Sequence, residues 1–190
     1  MSITTKSGDT GQTGLMFAKR TSKDNPRICA CGDIDELNSV IGIVKAHLPD
    51  TIINKQLEII QKTLINLMGE IATQPEDITK YEQSSFTKLT KINIEQLEKW
   101  ITEIESQITP ITDWVIPGKN IPSAQLDFSR TVCRRAERSL VSLSDKTTNK
   151  PAHQIVYLNR LSDLLWLMAR SLEQTNTQKE ILTTSQIESL

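Results

Sequence analysis

Histidine is nearly missing from this 190-residue chain, with only His47 and His153, far apart in sequence. A histidine-rich metal site is therefore not expected, and the absence of any Glu-x-x-His pair disfavours ferritin-like di-iron chemistry. The three cysteines, Cys29, Cys31 and Cys133, are an odd set without CxxC spacing. They suggest neither a disulfide framework nor a zinc knuckle, and a reducing cytoplasm is the simplest compartment. No run of about 18 apolar residues occurs, so no membrane-spanning helix is expected. The polar stretch 1–13 lacks the apolar centre of a secretory signal. A charge surplus is missing too: 22 basic and 23 acidic side chains leave a formal net charge of −1. A duplex nucleic-acid binder needs excess basic charge to displace counterions, so nucleic acid is not an expected partner. Any anion site has to be a local cluster.

What is present is helical periodicity. The length suits one domain over 1–190. Four of the seven glycines (Gly8, Gly11, Gly14, Gly32) precede residue 33. Residues 1–32 therefore read as a loop-rich arm, 33–174 as a helical body and 175–190 as a tail. From Ile34 the apolar positions fall on stripes: Ile34, Leu37, Ile41, Val44, Leu48; then Ile53, Leu57, Ile60, Leu64, Leu67, Ile71. A third stripe is Ile94, Leu97, Ile101, Ile104, Ile108, a fourth Leu126, Ser129, Cys133, Ala136, Leu140, and a fifth Ile155, Leu158, Ser162, Leu165, Ala169. Asp33 with Glu36 three residues on predicts a capped start for the first helix. Together these predict an all-α, five-helix up-and-down bundle. No segment alternates in the manner of a strand.

Two clusters carry candidate chemistry. The arm, Thr4-Thr-Lys-Ser-Gly-Asp-Thr-Gly-Gln-Thr-Gly-Leu15, places glycines where backbone N–H groups can turn around an anion, with Lys6 and several hydroxyls alongside. It lacks the order of a Walker loop, and a mobile polar N-terminus is the alternative. Lys19, Arg20, Lys23 and Arg27 follow and add positive potential. On the fourth helix, Arg130, Arg134, Arg135 and Arg138 accompany a single Glu137. Guanidinium forks bind phosphate oxygens in pairs and stay charged at physiological pH. The alternative is a solvated face of weak Glu–Arg pairs. Asn159 on the fifth helix suits either a ribose or base contact or an interhelix bond, and Trp166 reads as packing.

Four blocks occur in order: Thr5-Lys-Ser-Gly-Asp-Thr-Gly-Gln-Thr13, Gly32-Asp-Ile-Asp-Glu-Leu-Asn38, Arg130-Thr-Val-Cys-Arg-Arg-Ala-Glu-Arg138 and Tyr157-Leu-Asn-Arg-Leu-Ser-Asp-Leu-Leu165. Together they resemble the PduO-type ATP:cob(I)alamin adenosyltransferases. The resemblance implies a ferritin-like bundle with an N-terminal nucleotide-binding arm, assembled as a homotrimer with active sites between subunits. It implies transfer of the 5′-deoxyadenosyl group of ATP to the cobalt of cob(I)alamin, giving adenosylcobalamin and triphosphate. By the same resemblance ATP and its Mg²⁺ lie along Thr5, Lys6, Ser7, Gly8, Thr13 and Gly14. Lys23, Arg134, Arg135, Ala136, Glu137, Arg138 and Asn159 are further nucleotide contacts. No side chain is assigned as a metal ligand.

Asp35 and Arg130 match a pair that joins subunits in the family. Trp114 stands where an aromatic residue, usually phenylalanine, crowds the lower face of the corrin and expels its dimethylbenzimidazole ligand. Arg134, Arg130, Asp35 and Trp114 are thus the expected catalytic set. Lys119, where a second glycine is common, and Asp127, where histidine is common, depart from the pattern. A cobalamin reductase and a B12-dependent acceptor enzyme are the implied protein partners. The alternative is a bundle that binds nucleotide or corrinoid as a carrier or sensor without catalysis.

Overall fold

The structure, a computed structural model, describes residue 4, residues 6–144 and residues 152–187, by backbone alone at 144, 152 and 176–187. Its long elements are helices α1 (Pro26–His47), α2 (Ile52–Ile71), α4 (Lys91–Glu105), α5 (Ile121–Ser144) and α6 (Ala152–Ile187). A short α3 (Ile78–Glu82) lies in the link between α2 and α4. Side by side they run α2, α1, α5, α6, α4, so α5 forms the middle of the bundle with α1 and α6 on either side. The stripes meet there. Leu57, Ile60, Leu64 and Leu67 of α2 are fully buried, as are Leu126, Ser129, Cys133, Ala136 and Leu140 of α5. Each buried leucine or isoleucine stabilises by roughly 1.5–3 kcal/mol. Serine, cysteine and alanine on α5 let its neighbours approach closely.

Three expectations need correction. The first helix starts at Pro26, not at Asp33, because the Asn25 side chain accepts from the Arg27 N–H at 2.9 Å and proline occupies the first turn. Gly32 therefore lies inside α1, where burial of Ala30, Ile34 and Leu37 outweighs the poor helix propensity of glycine. The Asp33 and Glu36 carboxylates bind Arg135 on α5 and do not form a capping box.

Strands are present as well. β1 (Gln12–Gly14) and β2 (Arg20–Ser22) pair antiparallel, Thr13 opposite Thr21. They are three residues each, too short for alternation to be legible. Lastly, the backbone of α6 continues helical to Ile187 and has no break at residue 175. Among the described residues no helix is long and apolar enough to cross a membrane.

Candidate active site

The arm is a folded hairpin. Two successive turns (Asp9 N–H to Lys6 O at 3.3 Å, Gly11 N–H to Gly8 O at 3.1 Å) curl residues 6–11. Arg20 donates to the Ser7 carbonyl at 2.7 Å, and the Lys23 N–H donates to the Gly11 carbonyl at 2.9 Å, which ties the curl onto β2. A Cβ at Gly8 would sit 3.1 Å from Lys23 Nζ, so glycine there lets the ammonium lie against the loop backbone. Gly11 takes φ +79, which favours glycine. Thr13 and Gly14 belong to β1; Thr13 is half-buried and Gly14 exposed. Thr5 lies outside the described residues.

The hairpin docks at and just beyond the end of α2, where Met16 N–H donates to the Ala72 carbonyl and Lys19 pairs with Glu76 and Asp77; Arg27 at the start of α1 donates to the Ile71 carbonyl beside it. Its tip is strained, with Phe17 and Ala18 both near φ +58 and the Lys80 ammonium 4.4 Å from the Phe17 ring centre.

The α5 arginine run divides into two groups. Arg135 turns toward α1, where Asp33 (3.2 Å) and Glu36 accept from it; these carboxylates hold the guanidinium even more firmly charged than usual. Ser139 donates to the other Asp33 oxygen. Arg135 is thus a tie between α1 and α5. Ala136 is completely buried in the core, so its expected nucleotide contact cannot be made by the side chain. Arg134 and Arg138 are exposed, and among the described residues neither makes a hydrogen bond or ion pair. Asn159 donates to Glu137 at 3.2 Å and accepts from Arg160 at 2.8 Å, joining α5 to α6 beside Arg134. Asp35 is exposed on α1, and no ion pair joins it to Arg130 within the chain.

A cavity of about 400 Å³ opens beneath the 112–117 loop, lined by Thr112, Asp113, Trp114, Val115, Asp127, Arg130, Trp166 and Arg170. Trp114 is fully exposed at its mouth. The loop is held at both ends. Gln174 of α6 clamps Thr109, accepting from its N–H at 2.8 Å and donating to its carbonyl at 3.1 Å. At the other end Asn120 and Ser123 exchange side-chain bonds that start α5.

On the cavity floor Arg170, only 1% exposed, donates to Asp127 (2.5 Å) and Glu173 (3.1 Å). Asp127 also lies 3.7 Å from Arg130 Nε. Asp127, which departs from the family pattern, is buried and turned toward α6, where Arg170 supplies its counter-charge. Sequence reasoning missed Arg170 and took Trp166 for packing alone. The signal was available: Trp166, Arg170 and Gln174 recur every fourth residue along one face of α6, and a lone arginine follows the run Leu164-Leu-Trp-Leu-Met-Ala169.

The chain matches the cobalamin adenosyltransferase family over residues 3–172. It is 37% identical over 183 residues to a cobalamin adenosyltransferase of Cupriavidus metallidurans, covering 95% of this chain and 92% of that one. A corrinoid adenosyltransferase of Citrobacter freundii is 37% identical over 173 residues, covering 91% and 96% of the two chains. Among solved structures, a variant PduO-type ATP:corrinoid adenosyltransferase from Lactobacillus reuteri, complexed with cobalamin and ATP, superposes with a TM-score of 0.83. It shares 30% identity and covers 93% of this chain and 96% of its own.

Proposed function

This chain belongs to the cobalamin adenosyltransferase family and transfers the adenosyl group of ATP to cobalamin; we propose that its active site is completed where the arm of one subunit meets the α5 face of another in a homotrimer. In this reaction the cobalt of the reduced corrinoid is the nucleophile. It attacks C5′ of ATP in line, a cobalt–carbon bond forms, and triphosphate leaves with the electron pair of the broken C–O bond. No protein nucleophile is needed, which suits a chain whose Cys133 is sealed in the core with its thiol pushed up by burial. The protein's tasks are alignment of C5′ with the cobalt and positive charge for the leaving triphosphate.

Lys6, Lys23, Arg134 and Arg138 are assigned to the triphosphate, with the Ser7–Gly8 and Thr13–Gly14 backbone cradling it. Among the described residues no group of three or more His, Cys, Asp or Glu could hold a metal. Mg²⁺ is therefore assigned to the phosphates with which it arrives. The Glu137–Asn159 pair is assigned to the adenosine, and Arg135 to holding α5 in register against α1. Asp35, exposed and without Arg130 as an intrachain partner, is assigned to Arg130 of an adjacent subunit. Trp114, above the cavity, is assigned to the lower corrin face, where its ring displaces the axial base and eases reduction of Co(II). A reductase and a B12-dependent acceptor enzyme complete the proposed partner set, in a reducing cytoplasm that suits three free thiols.

The observation that carries this reading is Arg134, exposed and, among the described residues, without an ionic partner, next to the tied residues Arg135 and Glu137. The test is to mix the protein with chemically reduced cob(I)alamin and Mg-ATP. The cob(I)alamin spectrum is expected to convert to that of adenosylcobalamin with one triphosphate released per corrinoid. Binding of both substrates without triphosphate release would establish the carrier reading instead.

A further inference from the structure

The cavity beneath Trp114 is lined by Asp127, Arg130 and Arg170, with Glu173 bound to Arg170 behind them. Arg170 donates to both Asp127 and Glu173, and the second oxygen of Asp127 faces Arg130 at 3.7 Å. Two guanidiniums and two carboxylates balance. Taking four charges from water is costly, and a buried ion pair is often no more stabilising than apolar side chains of the same volume. Trp114, Val115, Pro117 and Trp166 supply the apolar part of the lining, against which these charges are set. The charges are concentrated under a cavity and are not spread through the core.

The geometry is also directional. Arg170 is immobilised in the wall by two carboxylates and lies 5.6 Å from the Trp166 ring centre. Asp127 is 4% exposed, with one oxygen fixed by Arg170. Arg130 is the outermost member, with about a third of its side chain exposed and its buried Nε unmatched by a hydrogen bond. Rigidity therefore passes outward, from Arg170 through Asp127 to Arg130 at the cavity.

We propose that Asp127 and Arg170 are positioning residues for corrinoid binding: Arg170 fixes the Asp127 carboxylate, and Asp127 in turn aims Arg130 into the cavity under Trp114. The inference rests on the reading of this cavity as the corrinoid side of the site. A charged group that loses its aim at such a site forfeits a contact worth about tenfold in affinity. Removing the Asp127 charge therefore weakens corrinoid binding while leaving nucleotide binding, at the arm and Arg134, unchanged.

The test is a double-mutant cycle in the Mg-ATP-loaded protein, read as the dissociation constant for Co(II) cobalamin by spectral titration, with ATP affinity and Tm measured in parallel. Asp127→Asn is expected to raise the corrinoid Kd about tenfold and leave the ATP Kd within about twofold. In an Arg130→Ala background the same change is expected to add nothing, because Asp127 then has nothing left to aim. A purely structural Asp127 would weaken both ligands together with Tm, or would add its full effect to Arg130→Ala; either result overturns the proposal. Arg170→Lys keeps the charge without the fork and is expected to show a smaller shift of the same selectivity; equal losses for both ligands would also overturn the proposal. If Arg130→Ala impairs corrinoid binding while Asp127→Asn does not, the relay alone fails. If Arg130→Ala itself binds corrinoid normally, the corrinoid reading of the cavity fails with it.

Discussion

In the arm, Lys6 and Lys23 stand exposed on a hairpin whose own hydrogen bonds are mostly backbone, and among the described residues neither pairs with a carboxylate. In the wall under Trp114, Arg170 is buried and engages two carboxylates, one of which also faces Arg130. The same contrast recurs within one turn of α5, where Arg135 is bound to Asp33 and Glu36 while Arg134 beside it is not. Exposed cations without partners cost little to keep and remain available to a polyanion. Cations already matched to carboxylates cannot bind phosphate without leaving a carboxylate unpaired, so their contribution is geometric. Triphosphate is highly charged and bound from outside; a corrin ring is a large, mostly neutral face that has to be placed.

The sharpest way to break this comparison is to exchange the two kinds of arginine. Arg134→Ala is expected to lower kcat by about 100-fold or more with Tm unchanged, since it removes charge from the leaving group and no internal contact. Arg135→Ala is expected to lower Tm while kcat stays within severalfold. The reverse assignment of losses would put the triphosphate on the wrong arginine.

Trp114→Ala sharpens the corrinoid half. It is expected to slow the reaction started from Co(II) more than the reaction started from prepared cob(I)alamin, with equal slowing in both counting against axial-ligand displacement. Asp35→Asn is expected to shift the protein toward smaller species on sizing, and an unchanged elution would remove it from the proposed interface.

The smallest effects concern strain and thiols. Ala18→Gly is expected to stabilise the protein by about 1 kcal/mol, because a left-handed Ala is relieved, raising Tm by about 2–4 °C in thermal melts. Burial pushes the Cys31 thiol up to about 12 and the Cys133 thiol up further in the same direction. Both values are raised over the unfolded one, so the stability from these neutral thiols is full below the ordinary value of about 8.5. It is lost as pH climbs from there toward 12. Melts across that range are expected to fall steadily in the wild type and less steeply in Cys31→Ala. Alkylation at pH 8 is expected to label exposed Cys29 first.

Much of the bundle was legible because burial on a helix leaves a period of three to four. Leu126, Ser129, Cys133, Ala136 and Leu140 read as one face from their spacing alone, and all five are fully buried. The start of α1 was not legible in the same way. Gly32 and Asp33 resemble a loop and a cap, while the actual cap, Asn25, precedes a proline among polar residues that carry no periodicity. The arm's hairpin escaped because three-residue strands offer one alternation at most.

In the site, residue types pointed to phosphate chemistry, but which arginine was exposed depended on Asp33 and Glu36, about 100 positions away in the chain. Arg170 was hidden for the opposite reason. A charged residue on an apolar helix declares a partner only when the fold brings Asp127 to it.

A crystal structure of the protein with Mg-ATP tests the central claim most directly. The account predicts Lys6 and Lys23 of one subunit and Arg134 of another within hydrogen-bonding reach of the triphosphate, with Arg135 still bound to Asp33 and Glu36. Nucleotide held elsewhere, with the Arg134 guanidinium in bulk water, would contradict it.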